Sequence, residues 1–376
     1  MTTNTAILLI GSSKKDPDLF YATNFLTEIP GEYLSFNGKS YYITRTIEEG
    51  RAKKESSVDE VLVINNLIES YNTKQSHDPE LFAIMAFLKD NNIKDLIIPE
   101  IFNLSTFNTL KENGFSITIN KDIPFFKARK IKKEAEKCII KENQTIIEEA
   151  LLKAENLLKA SRIENGNILY EGEIVTSELL KTLINGHLFS KGMFCEDMIV
   201  ACGNDSTFPH LSGSGPIKAN ETIIFDIAPK SFINNYFGDM TRTFVKGKAS
   251  KELKKMHQTV RDAQEMAIDQ IHDGLESKRL HEKILAFFDS QGFKTGMIND
   301  RYQGFFHGTG HGIGLEIHET PIINANGPRL EKGNITSIEP GLYYEDIGGV
   351  RIEDLVYIKN KGCENLNNYH KNLEIE

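Results

Sequence analysis

Short apolar runs alternate with helical patterns over the first third of the chain. The runs that predict β-strands lie at 6–10, 41–44, 96–99 and 116–119. Asp78 followed by Pro79 predicts a helix start, because aspartate caps a helix N-terminus and proline fits its first turn. A second helix is predicted to begin at Ser105 and to close at Gly114. This alternation predicts a small α/β domain.

The segment 121–137 interrupts this pattern with Pro124 and a run of basic residues. It predicts a domain boundary, with an N-terminal accessory domain over 1–125 and a second domain over 126–376. The basic run leads into a long helix over about 132–164, and its simplest interpretation is a solvated helix face.

The pattern beyond the boundary is less regular. Helices are predicted from Thr176 or Ser177 to 190, from Ser250 to Gly274 and from Ser277 to Gly292. Strands are predicted at 197–202, 222–228, 335–339 and 350–358. Because strands and helices do not alternate strictly, the pattern favours an α+β arrangement over a doubly wound sheet.

Composition narrows the classes of function. The 376 residues include 40% apolar and 26% charged residues, the balance of a globular protein, and the net charge is −9. An acidic protein is a poor partner for nucleic acid or an anionic membrane. The four cysteines form no C-x-x-C pair, and the apolar run near the start is too short for a signal or a membrane span. We therefore expect a cytoplasmic protein.

Carboxylates interrupt several of the apolar strands. In the strand at 222–228, alternation directs Asp226 and Ile224 to one face and Ile223, Phe225 and Ile227 to the other. A carboxylate in such a strand must be paired, hydrogen-bonded or bound to a metal. For Asp226 alone, a salt bridge to an arginine is the simpler interpretation.

The same conflict recurs at Glu339 and Glu353, and few arginines lie near enough in sequence to pair with all three. Asp239 opens the next strand, and His311 lies in a glycine-rich segment. Together these residues predict a metal site. Four carboxylates and one imidazole suit Mn²⁺, Co²⁺, Fe²⁺ or Zn²⁺, and so many acids predict two ions.

His307 lies four residues before His311, a spacing that two zinc ligands on a helix would show. The glycines at 308, 310, 312 and 314 exclude a stable helix there, so His307 alone is more simply a hydrogen-bonded core residue. Arg351 shares a predicted strand face with Glu353. It can hydrogen-bond a ligating carboxylate, and the alternative is a plain surface ion pair.

The five predicted ligands, in this order, resemble those of the pita-bread metallopeptidases, which include methionine aminopeptidase, Xaa-Pro aminopeptidase and prolidase. The similar motifs are FPHLSGSG, DMTRTF, GTGHGIGLEIHE, IEPGLYYE and GVRIED, within about 130–376. The implied fold class is α+β, with a C-terminal pita-bread (creatinase/aminopeptidase-like) catalytic domain. A smaller α/β, creatinase-N-like domain precedes it, on a weaker likeness.

The resemblance implies a dinuclear-metal hydrolase that cleaves the Xaa-Pro bond at the N-terminus of peptides or in dipeptides, through attack by metal-activated hydroxide. Its cofactors would be two divalent ions, first of all Mn²⁺. The implied metal ligands are Asp226, Asp239, His311, Glu339 and Glu353. The implied catalytic residues are His210, His318, Glu339 and Arg351. The implied substrate-binding residues are His210, His307 and His318.

Several alternatives stay open. The chain could be a catalytically inactive pita-bread binding module, a metal-free creatinase-like enzyme, or a methionine aminopeptidase. Dipeptidase and aminopeptidase activity are not distinguished. The expected partners are proline-containing peptides and a second copy in a homodimer. Asp226 and Asp239 are 13 residues apart, more than is usual in the family, and Asn234-Asn235 between them predicts a long hairpin loop.

Overall fold

A computed structural model describes residues 4–375, which divide into two compact units, one ending at Arg129 and one beginning at Lys130. This division lies slightly beyond the predicted boundary between 1–125 and 126–376. Independent folding of the two parts stays a prediction. None of the described helices is both long enough and apolar enough to cross a membrane.

The N-terminal unit is built on one mixed sheet with the strand order β4-β3-β2-β1-β5-β6. Its strands are β1 (Thr5–Gly11), β2 (Gly31–Phe36), β3 (Lys39–Thr44), β4 (Glu60–Val63), β5 (Asp95–Pro99) and β6 (Ser116–Asn120). Its helices are α1 (Pro17–Thr23), α2 (Glu49–Glu55), α3 (Ile64–Ser70), α4 (Pro79–Asp90) and α5 (Leu104–Glu112). The predicted α/β character is confirmed.

Local sequence explains how two of these helices begin. Asp78 caps α4 by accepting a hydrogen bond from the Leu81 amide, as the Asp-Pro pair predicts. The predicted cap of α5 is wrong, because Asn103 rather than Ser105 accepts the capping bond, from the Thr106 amide. Asparagine is at least as good a cap as serine, and it lies where the chain leaves its extended conformation.

The second unit contains four long helices among the described residues: α6 (Glu134–Ala160), α7 (Ser177–Ser190), α8 (Lys251–Gln270) and α9 (Ser277–Ser290). The strands before α8 are β7 (Arg162–Glu164), β8 (Asn167–Tyr170), β9 (Glu173–Ile174), β10 (Met193–Phe194), β11 (Ile199–Cys202), β12 (Ile223–Ile227), β13 (Lys230–Ser231) and β14 (Met240–Lys246). Those after α9 are β15 (Gly296–Ile298), β16 (Arg301–Gln303), β17 (Gly310–Gly312), β18 (Glu319–Ile323), β19 (Ile335–Ile338), β20 (Gly341–Tyr344), β21 (Gly348–Arg351), β22 (Asp354–Ile358), β23 (Cys363–Asn365) and β24 (Glu374–Ile375).

Two helix pairs cover two sheets in this unit. One apolar core joins α6 and α7 to the sheet β11-β12-β14-β24, and it includes Ile147, Leu180, Ile223 and Phe225. The other joins α8 and α9 to the sheet β18-β17-β19-β22-β23. The helices therefore occupy one face of each sheet. The predicted α+β class is confirmed.

The predicted single strand over 350–358 is wrong. The chain forms β21, breaks at Ile352 and Glu353, and continues as β22. β21 pairs with β20, whereas β22 pairs with β19, so the chain changes partner at the break. Arg351 and Glu353 consequently do not share the face of one strand.

The basic run at the boundary is not simply a solvated helix face. Lys132 precedes α6 and is buried, with its Nζ 2.7 Å from Oε2 of the buried Glu319. A buried lysine needs such a partner, because an unpaired charge in the interior is strongly destabilised.

Candidate metal centre

Asp226 lies on the face of β12 that is turned away from the helices. Ile223, Phe225 and Ile227 belong to the core under α6 and α7, whereas Ile224 packs in a separate cluster with Tyr343. The predicted alternation is therefore confirmed. Asp226 is paired across the sheet with Thr241 of β14, close to Asp239.

Asp239 is buried, and a buried glutamine of α6 holds its backbone. Gln144 donates from Nε2 to the Asp239 carbonyl at 2.6 Å and accepts from the Asp239 amide at 2.9 Å. These two bonds fix the chain at the point where it enters β14, and they leave the side chain of Asp239 free to face the site.

His311 is aimed by a β-bulge and by the glycines around it. The pairing of β17 with β18 shifts register between His311 and Gly312. A Cβ on Gly310 would lie 1.9 Å from the Ser337 carbonyl oxygen, so only glycine permits this approach. His311 Nδ1 lies 3.1 Å from the Gly312 carbonyl oxygen, which only accepts. Nδ1 therefore carries the proton, and Nε2 presents a lone pair.

Glu339 follows the end of β19, and Glu353 directly precedes β22, the neighbour of β19 in the sheet under α8 and α9. Gln264 of α8 donates from Nε2 to the carbonyls of Ile338 and Ile352, at 3.0 and 3.3 Å. One buried amide thus holds the residue before each glutamate. Thr241 Oγ1 donates to Glu353 Oε2 at 2.8 Å, which orients that carboxylate.

These side chains converge on one point. Ligand atoms of Asp239, His311 and Glu353 all lie within 4.8 Å of one another. His311 Nε2 lies 3.6 Å from Asp239 Oδ2 and 3.4 Å from Glu339 Oε1. Asp226 Oδ2 lies 2.6 Å from Nη2 of Arg351, and burial, together with the charge of Asp226, helps to raise the pKa of Asp239, Glu339 and Glu353.

The donor set fits divalent cations. Among the described residues, Asp239 Oδ1 and Glu353 Oε1 are buried and have no hydrogen-bond partner. Burial, followed by the charges of neighbouring carboxylates, raises the pKa of both Asp239 and Glu353 well above the usual range. A bound cation would supply the missing partner and would offset this repulsion.

Arg351 is buried, which excludes the surface ion pair considered from the sequence. Besides Asp226, it donates to Tyr343 Oη at 2.7 Å and to the Pro209 carbonyl at 3.3 Å. Tyr343 Oη lies 3.0 Å from His307 Nε2, and His307 Nδ1 lies 2.8 Å from the Gly308 carbonyl oxygen. Both nitrogens of His307 are therefore engaged within the protein, and its predicted contact with substrate stays a prediction.

The other two predicted histidines are exposed at the edge of the site. The His318 ring lies 4.4 Å from the His311 ring, at a steep angle of 81°. His210 follows Pro209, whose carbonyl Arg351 holds. Protein groups around the His318 ring displace part of its water, which lowers its pKa, and neighbouring His311 lowers it further.

The long connection between Asp226 and Asp239 is a hairpin loop, as predicted. β12 and β14 are antiparallel partners, and Asn235 adopts a left-handed φ of 65°. Asparagine tolerates this conformation better than most residues. Both aspartates therefore stay on the sheet in spite of the added length.

Sequence reasoning missed the residues that support the ligands: Gln144, Thr241, Gln264 and Tyr343. The sequence contains an indication that Gln144 is buried, because it lies between Ile140 and Ile147 on the apolar face of a helix. A polar residue at such a position is buried and requires a partner.

The sequence matches metallopeptidase family M24 over residues 139–360. A Xaa-Pro dipeptidase of Pyrococcus furiosus is 32% identical over 179 residues, which cover 47% of this chain and 49% of that protein. An uncharacterized peptidase of Bacillus subtilis is 33% identical over 181 residues, 48% of each chain. The chain spans about half the length of the curated relatives it matches.

Solved structures resemble the chain over a longer range. An X-Pro aminopeptidase from Thermotoga maritima has a TM-score of 0.81 at 25% identity, with 98% of this chain and 97% of that chain covered. The prolidase from Pyrococcus horikoshii has a TM-score of 0.77 at 25% identity, with 98% and 95% covered. These likenesses confirm the predicted pita-bread fold with its preceding smaller domain.

Proposed function

The chain belongs to metallopeptidase family M24, and on this premise we propose that it hydrolyses the Xaa-Pro bond at the N-terminus of peptides or in Xaa-Pro dipeptides. The observation that carries the hydrolase assignment is the pair of unpartnered buried oxygens, on Asp239 and Glu353, beside the lone pair of His311. The preference for proline is supported by the likeness to X-Pro-cleaving enzymes over nearly the whole chain, including the N-terminal unit.

The proposed cofactors are two divalent ions, with Mn²⁺ as the first choice. Asp226, Asp239, His311, Glu339 and Glu353 would hold these ions. When bound, such ions lower the pKa of a water molecule and polarise a carbonyl group.

The protein's own groups would supply the rest of the chemistry. His318 lies beside His311 and would donate an N–H to the oxygen of the scissile carbonyl. Burial raises the pKa of Glu339, which suits a group that accepts a proton and passes it to the leaving nitrogen. Arg351 orients Asp226 through their 2.6 Å contact.

The proline that leaves on hydrolysis requires a dedicated binding pocket. The proline nitrogen in an Xaa-Pro bond carries no N–H that a peptidase could bind. Recognition must therefore rest on the shape around the ring, where we place His210 and His318.

Methionine aminopeptidase activity is the principal alternative, because that enzyme has the same order of ligands. An inactive binding module and a metal-free creatinase-like enzyme are less favoured, since either would leave the unpartnered carboxylates without a purpose. Homodimerisation and a cytoplasmic location stay predictions.

A comparison of three substrates tests the proposal. We expect the Mn²⁺-loaded protein to hydrolyse Gly-Pro or a longer Xaa-Pro peptide, and to leave a Met-Ala peptide almost untouched. Metal-stripped protein is the control. Faster cleavage of Met-Ala would overturn the Xaa-Pro assignment, and the ratio of Gly-Pro to longer peptides separates dipeptidase from aminopeptidase activity.

A further inference from the structure

A line of aromatic side chains leads from the candidate centre to the surface. The ring centroids of Tyr343 and Phe306 are 5.6 Å apart, and those of Phe306 and Tyr302 are 5.8 Å apart. Exposure rises along the line, from 1% at Tyr343 to 39% at Phe306 and 52% at Tyr302. We call these three residues the aromatic wall.

The buried end of the wall is attached to the centre. Tyr343 accepts a hydrogen bond from Arg351, which in turn contacts Asp226, a predicted metal ligand. Phe306 immediately precedes His307, whose ring also contacts Tyr343. The wall therefore begins beside the residues proposed to bind metal and substrate.

Phe208 lies beside the β15-β16 hairpin, through a contact with Arg301. The guanidinium of Arg301 lies 3.7 Å from the centroid of the Phe208 ring, and its Nη2 donates to the Thr207 carbonyl at 2.8 Å. Arg301 directly precedes Tyr302 in the chain, and Phe208 lies two residues before His210. The arginine thus ties the segment that carries His210 to the hairpin that carries Tyr302.

Two consecutive phenylalanines in this segment differ in exposure. Phe305 is only 1% exposed and packs against Phe288. Its neighbour Phe306 faces the other way and stays exposed in an ordered contact with Tyr343. Fixed, exposed aromatic rings that adjoin a reactive centre are the surfaces on which apolar ligand groups bind.

The proposed activity identifies the occupant. When the first residue of a peptide is removed, no chain precedes the cleaved bond, so an extended surface can only follow the residues after proline. Each ring-to-ring step exceeds the roughly 3.4 Å that one extended residue spans. The accessible part of the wall, from Phe306 to Tyr302, therefore spans more than one extended residue.

We infer that Tyr302 and Phe306 form a subsite for an apolar side chain that follows proline, so that the preferred substrates are Xaa-Pro peptides of three or more residues. This inference rests on the proposed function and names its substrate class.

A matched peptide series tests the subsite. For the Mn²⁺-loaded wild type we expect kcat/KM for Gly-Pro-Phe to exceed that for Gly-Pro-Gly by about tenfold, the scale of discrimination by an apolar pocket. In Tyr302→Ala and Phe306→Ala this ratio should fall toward one. Phe189→Ala, at an exposed aromatic residue of α7, should retain the wild-type ratio. Circular dichroism would verify that each variant is folded.

A further substrate and a binding measurement distinguish the ways of failing. Equal rates on Gly-Pro-Phe and Gly-Pro-Gly in the wild type would overturn the subsite while the proposed function stands. A preference for Phe-Pro-Gly that is lost in Tyr302→Ala would assign the wall to the first residue instead. If no Xaa-Pro peptide is cleaved, calorimetric binding of Gly-Pro-Phe decides. Tighter binding than Gly-Pro-Gly that is lost in Tyr302→Ala would uphold the subsite, and no such preference would overturn it.

Discussion

In the N-terminal unit most ion pairs lie at the surface, whereas the C-terminal unit encloses several of its charges. Lys39 and Glu60, on neighbouring strands of the first sheet, are 46% and 42% exposed. The pairs Lys132–Glu319 and Arg242–Asp354 of the second unit are at most 2% exposed. Buried charges occur in the N-terminal unit as well, at Arg129 beside Asp18 and at Glu48 beside Arg51.

The exposed and the buried ion pairs differ in how much they contribute to stability. Exposed pairs contribute little, because water and salt screen them. Two buried pairs of the second unit adjoin residues of the candidate centre, since Glu319 follows His318 and Asp354 follows Glu353 in the chain. Glu319 accepts from Nζ of Lys132 and from the amides of Leu315 and Glu316, so it fixes the turn that leads to His318.

The largest effect on activity is expected at Asp239, a buried carboxylate whose Oδ1 has no hydrogen-bond partner within the described residues. Asp239→Asn should lower hydrolysis of Gly-Pro by about a thousandfold or more, since metal ions contribute several kcal/mol to such reactions. The same change should raise the melting temperature of the metal-free protein, because it removes one of several mutually repelling carboxylates. A metal-free variant that melts below the wild type would contradict this account of the cluster.

The second-largest effect is expected at the buried Lys132–Glu319 pair. Lys132→Met leaves Glu319 enclosed without its cation and should destabilise the protein by about 3–5 kcal/mol in urea unfolding. Lys251→Met, at an exposed position in α8, is the control. The double change Lys132→Met with Glu319→Gln should recover part of the loss. A single variant as stable as the control would show that the pair is not required.

Glu32 in the N-terminal unit sharpens the comparison, because it is a carboxyl group in an unfavourable setting. Burial, and then nearby Glu80, raises the pKa of Glu32 to about 8. The folded state therefore holds a proton that the unfolded state releases above about pH 4.3. Stability should fall as pH rises from about 4.3 to about 8, and Glu32→Gln should flatten this slope. Urea midpoints across this range measure it, with exposed Glu112→Gln as the control, and an unchanged slope in Glu32→Gln would refute it.

The smallest effect is expected at the exposed pair. Lys39→Ala should leave the urea midpoint within experimental error of the wild type, because Lys39 and Glu60 are both solvent-exposed. A clear loss of stability would remove the proposed contrast between the units.

The side chains that face the candidate centre were predictable because each creates a local conflict in the sequence. Asp226 interrupts an apolar strand, and His311 lies among glycines that exclude a helix. Such conflicts can be recognised within a few residues. The α+β class followed in the same way from the lengths and spacing of the apolar runs.

The supporting contacts were not predictable, since they join residues far apart in sequence. Gln144 donates a hydrogen bond to the backbone of Asp239, and Gln264 donates to the backbone of the residues before Glu339 and Glu353. The break at Ile352 likewise depends on which sheet each half of the segment joins. Pairing between sheets is a tertiary choice that no local pattern encodes.

Metal content is the most direct test of the central claim, that the enclosed carboxylates and His311 hold two divalent ions. Metal-stripped protein would be equilibrated with saturating Mn²⁺, freed of loosely bound metal and analysed for its elements, with Asp239→Asn treated in parallel. The account predicts two manganese ions per wild-type chain and a clear reduction in the variant. A wild-type content near zero, or an equal content in the variant, would contradict it.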